Sequence, residues 1–192
     1  GETRVSATPE TVKKFLDFGC KVFFEKGAGD SAGFLDNSYL NAGAELVEKE
    51  NNEVKNIVDI VLCVQPPNEE FLSNLKSGCL LVGLLNPYGN KLLAETLKSQ
   101  KISAISLELL PRISRAQSSD ALSSQANIAG YKSVLLAASA LDRYFPMLMT
   151  AAGTIQPSKV VVLGAGVAGL QAIATAKRLG AVVYVSDIRE AV

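Results

Sequence analysis

Residues 159–187, KVVVLGAGVAGLQAIATAKRLGAVVYVSD, constrain this chain more than any other stretch. Lys159 to Leu163 read as a short buried strand, and Gly164, Gly166 and Gly169 follow it in G-x-G-x-x-G spacing. An alanine-rich helix then runs to Leu179, Gly180 stops it, and AVVYVSD is a second strand. Each glycine has a physical task. Gly164 permits the tight strand-to-helix turn, Gly166 lets the backbone approach a pyrophosphate, and Gly169 lets the helix pack closely on the strand. The free N–H groups at the helix start are donors for phosphate oxygens. Asp187 ends the second strand, eighteen residues after Gly169. A carboxylate there accepts the hydroxyls of an adenosine ribose and repels a 2′-phosphate, which favours NAD over NADP. A glycine triplet alone is weak, because a packing turn without nucleotide uses the same letters. Strand, turn, helix, strand and terminal acid together are specific, and nothing nearby favours a flavin.

A second glycine cluster, KGAGDSAGF at 26–34, also follows a predicted strand. Its third glycine, Gly33, falls one residue late and no long apolar helix follows, so it reads as a structural loop. Upstream, TPETVKKFLDFG predicts a helix with Thr8 as N-cap, Pro9 at its first position and Gly19 as its stop. CKVFFE predicts a strand, NSYLNAGAELV a short helix, and IVDIVLCVQPP a buried strand ended by two prolines. NEEFLSNLKSG then CLLVGLL, and NKLLAETLKSQ then ISAISLEL, repeat helix then strand. Such alternation predicts a parallel sheet covered on both faces, so residues 1 to about 110 read as one α/β unit. SQANIAGYKSVLLAASALDRYF predicts a long helix ended by Pro146, its apolar face formed by Ile128, Leu135, Leu141 and Phe145 with Val134 and Ala138 between.

The fold class expected is therefore α/β: two Rossmann-like parallel-sheet domains joined by a long helix, with the nucleotide in the cleft between them. Residues 1–123 form the N-terminal domain, 124–146 the connecting helix, and 147–192 the start of an NAD-binding Rossmann domain. That last domain is incomplete, since such a fold needs two βαβαβ halves. The chain opens at Gly1 without an initiator methionine or a secretory leader and stops directly after a strand, so both ends read as cuts. Nineteen basic against nineteen acidic residues leave no basic face for nucleic acid. No apolar run approaches the roughly 18 residues that span a bilayer. Cys20, Cys63 and Cys79 have neither metal nor disulfide spacing, and there is no histidine. No metal site and no acid–base catalytic residue is expected.

One polar stretch, PRISRAQSSDALSSQANIAGY at 111–131, lies between apolar runs. A glutamine amide complements a carboxamide, and an arginine with an aspartate can lock each other or orient a ribose and pyrophosphate. The plainer alternative is that Ser123 or Ser124 caps the following helix.

This stretch, together with ETRVSATPETVKK, GAGDSAGF, FPMLMTAAGT and GAGVAGLQAIATAKRLGA, resembles the NAD(H)-binding component (domain I) of the proton-translocating NAD(P) transhydrogenases, which is similar in fold to alanine dehydrogenase. The resemblance covers nearly the whole chain. It implies that Arg112, Gln117, Asp120 and Ser123 hold the nicotinamide end of NAD(H). It also implies backbone contacts at Ile113, Ser114 and Arg115, at Val167 in the glycine turn, and at Ile188 and Arg189 beside Asp187. The implied enzyme is the Si-specific/Re-specific proton-translocating NAD(P)+ transhydrogenase. Hydride would pass directly from NADH to NADP+ on a separate domain, coupled to proton movement through membrane segments absent from this chain. Implied partners are a second copy, the NADP(H)-binding domain and the membrane domain. The implied place is the cytosolic or mitochondrial-matrix face of an inner membrane. The runner-up is an alanine dehydrogenase-like enzyme, in which Arg4 would match a substrate-binding arginine. That activity also expects a lysine near 63 and a histidine near the next strand, where this chain has Cys63 and no histidine. A third possibility is a sensing module that binds NADH and passes no hydride.

Overall fold

The computed structural model describes residues 1–49 and 51–189. They divide into two compact units, Gly1–Ala116 and Gln117–Val192. The first unit opens with helix α1 (Pro9–Asp17). The Thr8 hydroxyl accepts the Thr11 N–H, Pro9 occupies the first turn where no N–H is needed, and Gly19 follows in the left-handed region at φ 80°. Then come β1 (Phe23–Glu25), α2 (Asp36–Asn41), β2 (Glu45–Val47), α3 (Asn52–Lys55), β3 (Ile60–Leu62), α4 (Glu69–Ser73), β4 (Leu80–Gly83), α5 (Lys91–Ser99) and β5 (Ser103–Ser106). Strands β1 and β2 form one parallel pair, and β3, β4 and β5 a second parallel sheet in that order.

Two apolar clusters hold this unit. Val12, Phe24, Tyr39, Ala42 and Ala44 gather beneath the first pair, where the Phe24 and Tyr39 rings stack at 4.8 Å. Leu72, Leu75, Cys79, Leu81, Leu85, Leu93, Leu97 and Ile102 fill the second. The N-terminal segment reaches α2 and β3, since the Ala7 carbonyl accepts the Tyr39 hydroxyl at 2.9 Å and Ser6 donates to the Leu62 carbonyl at 3.1 Å.

The second unit holds α6 (Ala121–Ala140), β6 (Leu148–Thr150), β7 (Gly153–Ile155), β8 (Lys159–Leu163), α7 (Val167–Arg178) and β9 (Val182–Ser186). Strands β8 and β9 run parallel, in register from Lys159 with Val182 to Leu163 with Ser186. Val134, Phe145, Ala172 and Ala176 form the core where α6 packs along α7.

Several local expectations are corrected. The segment NSYLNAGAELV is not one helix: α2 stops at Asn41 and Glu45–Val47 becomes strand β2, because pairing with β1 overrides the short helical pattern. The strand predicted in IVDIVLCV covers only Ile60–Leu62 and is half-exposed, with Ile60 54% accessible, because β3 is an edge strand. The long helix begins at Ala121 and ends at Ala140, well before Pro146, when Leu141 turns to extended backbone. Its buried stripe is Gly130 and Val134, with Ala138 partly buried, whereas Ile128 and Leu141 are exposed and Phe145 lies beyond the helix. Small residues lie on that stripe because α7 approaches closely there. The β6–β7 hairpin is an addition, too short for periodicity to mark. In KGAGDSAGF the chain makes a single 3-10 turn at Asp30–Ala32, pinned by the Asp36 carboxylate accepting the Gly27 N–H at 2.9 Å.

Leu81, on the central strand β4, is fully buried. Leu81→Ala should cost about 3 kcal/mol in chemical denaturation. Leu92→Ala, at a surface position of α5, should cost less than about 0.5 kcal/mol.

Candidate functional site

The second unit gathers its chemistry at the C-terminal ends of β8 and β9. Gly164 leaves β8 at φ 95°, a conformation that side chains rarely adopt, and its N–H reaches the Ser186 carbonyl at 2.7 Å. Gly166 is the N-cap of α7 and brings no side-chain cap of its own. The first backbone bond of α7 is Leu170 N–H to the Gly166 carbonyl at 2.8 Å, so the N–H groups of Val167, Ala168 and Gly169 precede the intrahelical ladder. Space beside Gly166 is open: a Cβ placed there would meet nothing within 4 Å. At Gly169 a Cβ would lie 1.8 Å from the Gly164 carbonyl oxygen. One glycine keeps a surface clear, and the other lets helix and turn touch backbone to backbone.

Gly130 makes the same kind of contact from α6. A Cβ on it would lie 2.1 Å from the Ala168 carbonyl oxygen. Beside it, Asn127 Nδ2 donates to Gln171 Oε1 at 3.2 Å. Gly130 is not among the site residues expected from sequence, although an isolated glycine inside a helical pattern is a signal of close packing.

Asp187 follows β9 directly. Its Oδ2 accepts the Ala165 N–H at 2.6 Å, which ties the end of β9 to the glycine turn. Its Oδ1 accepts the Arg189 N–H at 2.9 Å, and the Arg189 guanidinium spans both oxygens at 2.9 and 3.0 Å. The guanidinium foremost, and then the Ala165 N–H, hold the carboxyl well below the usual carboxylate range. An open groove of about 380 Å³ lies here, lined by Leu163, Gly164, Ser186, Asp187 and Ile188. An uncapped helix N-terminus, an open glycine and an ionised carboxylate beside one groove suit the phosphates and ribose of a dinucleotide.

The polar stretch divides differently. Arg112, Ile113, Ser114 and Arg115 end the first unit with exposed side chains, and Gln117 opens the second in a 3-10 turn over Ser114–Ser119. Asp120 and Ser123 meet at the start of α6. The Asp120 carboxylate accepts the Ser123 N–H at 2.9 Å and the Ser123 hydroxyl at 2.6 Å. The cap of α6 is thus Asp120, and neither Ser123 nor Ser124. Gly164, Gly166, Val167, Gly169, Asp187, Ile188 and Arg189 form the other group, around the β8–α7 turn.

Two family models cover the chain, the alanine dehydrogenase/PNT N-terminal domain over residues 1–129 and the corresponding C-terminal domain over residues 133–192. The chain belongs to the alanine dehydrogenase/PNT family. It is 46% identical to the first portion of the NAD(P) transhydrogenase alpha subunit of Rhodospirillum rubrum, across 100% of this chain and 51% of that protein. The corresponding Rickettsia prowazekii protein is 43% identical, across 98% of this chain and 50% of its own length. Among solved structures, a transhydrogenase from Sinorhizobium meliloti superposes with a TM-score of 0.94 at 45% identity, over 99% of this chain and 56% of that one. An L-alanine dehydrogenase follows with a TM-score of 0.83 at 31% identity, over 98% and 52%. The chain thus spans about half the length of the relatives it matches. Among the described residues no helix is long and apolar enough to cross a membrane.

Gly169→Ala and Gly130→Ala should each lower the melting temperature by several degrees, because backbone must move to admit the methyl. Gly166→Ala should leave the melt within about 1 °C, since its Cβ points into open space. Asp187 has a depressed native pKa, so its contribution to stability is present above the unfolded value near ~4. It is lost progressively as pH falls from there through the lower native value. Asp187→Asn should therefore flatten the acid limb of a stability–pH profile and leave its alkaline limb unchanged.

Proposed function

We propose that this chain is the NAD(H)-binding part of an NAD(P) transhydrogenase, which passes hydride directly between NADH and NADP+ held by a separate domain. The observation that carries this reading is likeness to transhydrogenase alpha subunits along the entire chain, with the glycine turn and Asp187 intact. Gly164, Gly166, Val167 and Gly169 would lie along the pyrophosphate, with the first N–H groups of α7 as donors. Asp187, Ile188 and Arg189 would hold the adenosine end. Arg112, Gln117, Asp120 and Ser123 would hold the nicotinamide end, where Asp120 fixes the Ser123 hydroxyl, and Ile113, Ser114 and Arg115 would add backbone contacts. The bound dinucleotide would supply the hydride. The residues of this chain orient the ring and exclude water, so no proton-transferring side chain is required. The wider assembly we propose comprises a homodimer of this component, an NADP(H)-binding domain and a membrane domain. Coupling to proton translocation belongs to that assembly, at the cytosolic or matrix face of an inner membrane.

One observation speaks against alanine deamination. Burial pushes the Cys63 thiol up to about 11, so it stays neutral where that chemistry expects a lysine.

The full-length protein mixed with an NADP+-loaded partner domain should form NADPH from NADH with no amino or keto acid present. NADH binding without transfer, followed by turnover with pyruvate and ammonium, would replace this reading with the dehydrogenase.

A further inference from the structure

Asp187 does not present an open carboxylate. An ionised carboxylate offers about four acceptor positions, and the chain's own donors reach all of them. The Arg189 N–H and Nε lie on Oδ1, and the Ala165 N–H and Arg189 Nη2 lie on Oδ2. Two of these donors are backbone groups that anchor the carboxylate between the glycine turn and the segment after β9. The other two are the prongs of one guanidinium. A ribose 2′,3′-diol that donates to Asp187 needs the positions the prongs hold. The Asp187 side chain is only 10% exposed, whereas that of Arg189 is 56% exposed, so the arginine can swing away without disturbing the core.

We propose that Arg189 is a specificity-determining residue acting in opposition to Asp187. It occupies the diol-binding positions in the free protein, yields them to the ribose, and offsets the repulsion between Asp187 and a 2′-phosphate. This rests on the NAD(H) reading of the groove. A 2′-phosphate entering beside Asp187 meets an ion pair in place of a bare negative charge. If Asp187 loses its charge, the planar guanidinium is released to grip that phosphate with both prongs. The preference for NADH over NADPH is therefore a balance between two side chains two residues apart in sequence. Substitutions at the pair act non-additively, as expected for groups in direct contact.

The test is a double-mutant cycle in the full-length protein, with NADH and NADPH titrated by nicotinamide fluorescence. Asp187→Asn keeps an acceptor for the Ala165 N–H while removing the charge, so folding is retained. It should weaken NADH and tighten NADPH about tenfold, the scale of one charge-assisted contact. Arg189→Ala should weaken NADPH severalfold more than it weakens NADH, widening the preference. The double variant should lose the NADPH gain of Asp187→Asn. 5′-AMP and adenosine 2′,5′-bisphosphate used as competitors should reproduce the same order, which confines the effect to the adenosine end. Additive effects, or equal weakening of both nucleotides by Arg189→Ala, would overturn the inference while wild-type NADH binding kept the nucleotide reading intact. A wild type that bound no NADH would overturn both.

Discussion

The second unit depends on backbone-to-backbone contact around the first turn of α7. Gly169 lets that turn rest on the Gly164 carbonyl, and Gly130 lets α6 rest on the Ala168 carbonyl. Both contacts require the absence of a Cβ, and both bear on one helical turn. A helix gripped this closely holds its N-terminal N–H groups in fixed directions. Under the proposed nucleotide reading those groups would meet the phosphates, so packing and ligand chemistry would share a cause. The alanines of α7 serve the same end, since Ala172 and Ala176 keep the α6 side thin while Val160, Val162 and Val183 pack beneath from the sheet.

Asp187 closes the arrangement electrostatically. By accepting the Ala165 N–H it joins the end of β9 to the turn that follows β8, so one carboxylate serves as a structural brace and as a wall of the groove. The Arg189 fork keeps that charge compensated in a side chain largely shielded from water. Burying a lone carboxylate would be costly, and pairing it removes much of that cost.

The first unit follows a different logic. Its strands are three or four residues long and owe their existence to neighbours more than to their own letters. Strand β2 shows this, because ELV lies inside a segment whose pattern reads as helix until β1 is available to pair. Edge position likewise decides that Ile60 is exposed although IVDIVLCV looks like core. These outcomes depend on residues twenty or more positions away, beyond the reach of local periodicity. Helix starts are far more legible. Thr8 caps α1 as expected, because capping is a contact within one turn. The cap of α6 lies a few residues from its expected place, since Asp120 and Ser123 are both able caps in sequence and only the folded turn selects the aspartate.

The sequence by itself determined the α/β class, the strand–turn–helix–strand order around Gly164, Gly166 and Gly169, and the carboxylate at the end of the second strand. These are encoded in residue types whose backbone limits and spacing act over a few positions. Tertiary structure alone decided that Gly130 packs on α7, that the buried stripe of α6 runs through Gly130, Val134 and Ala138, and that Asp187 is already engaged. Each of these is a contact between segments far apart in the chain or a competition among several donors for one acceptor. Such outcomes depend on distances, and distances exist only once the chain has folded.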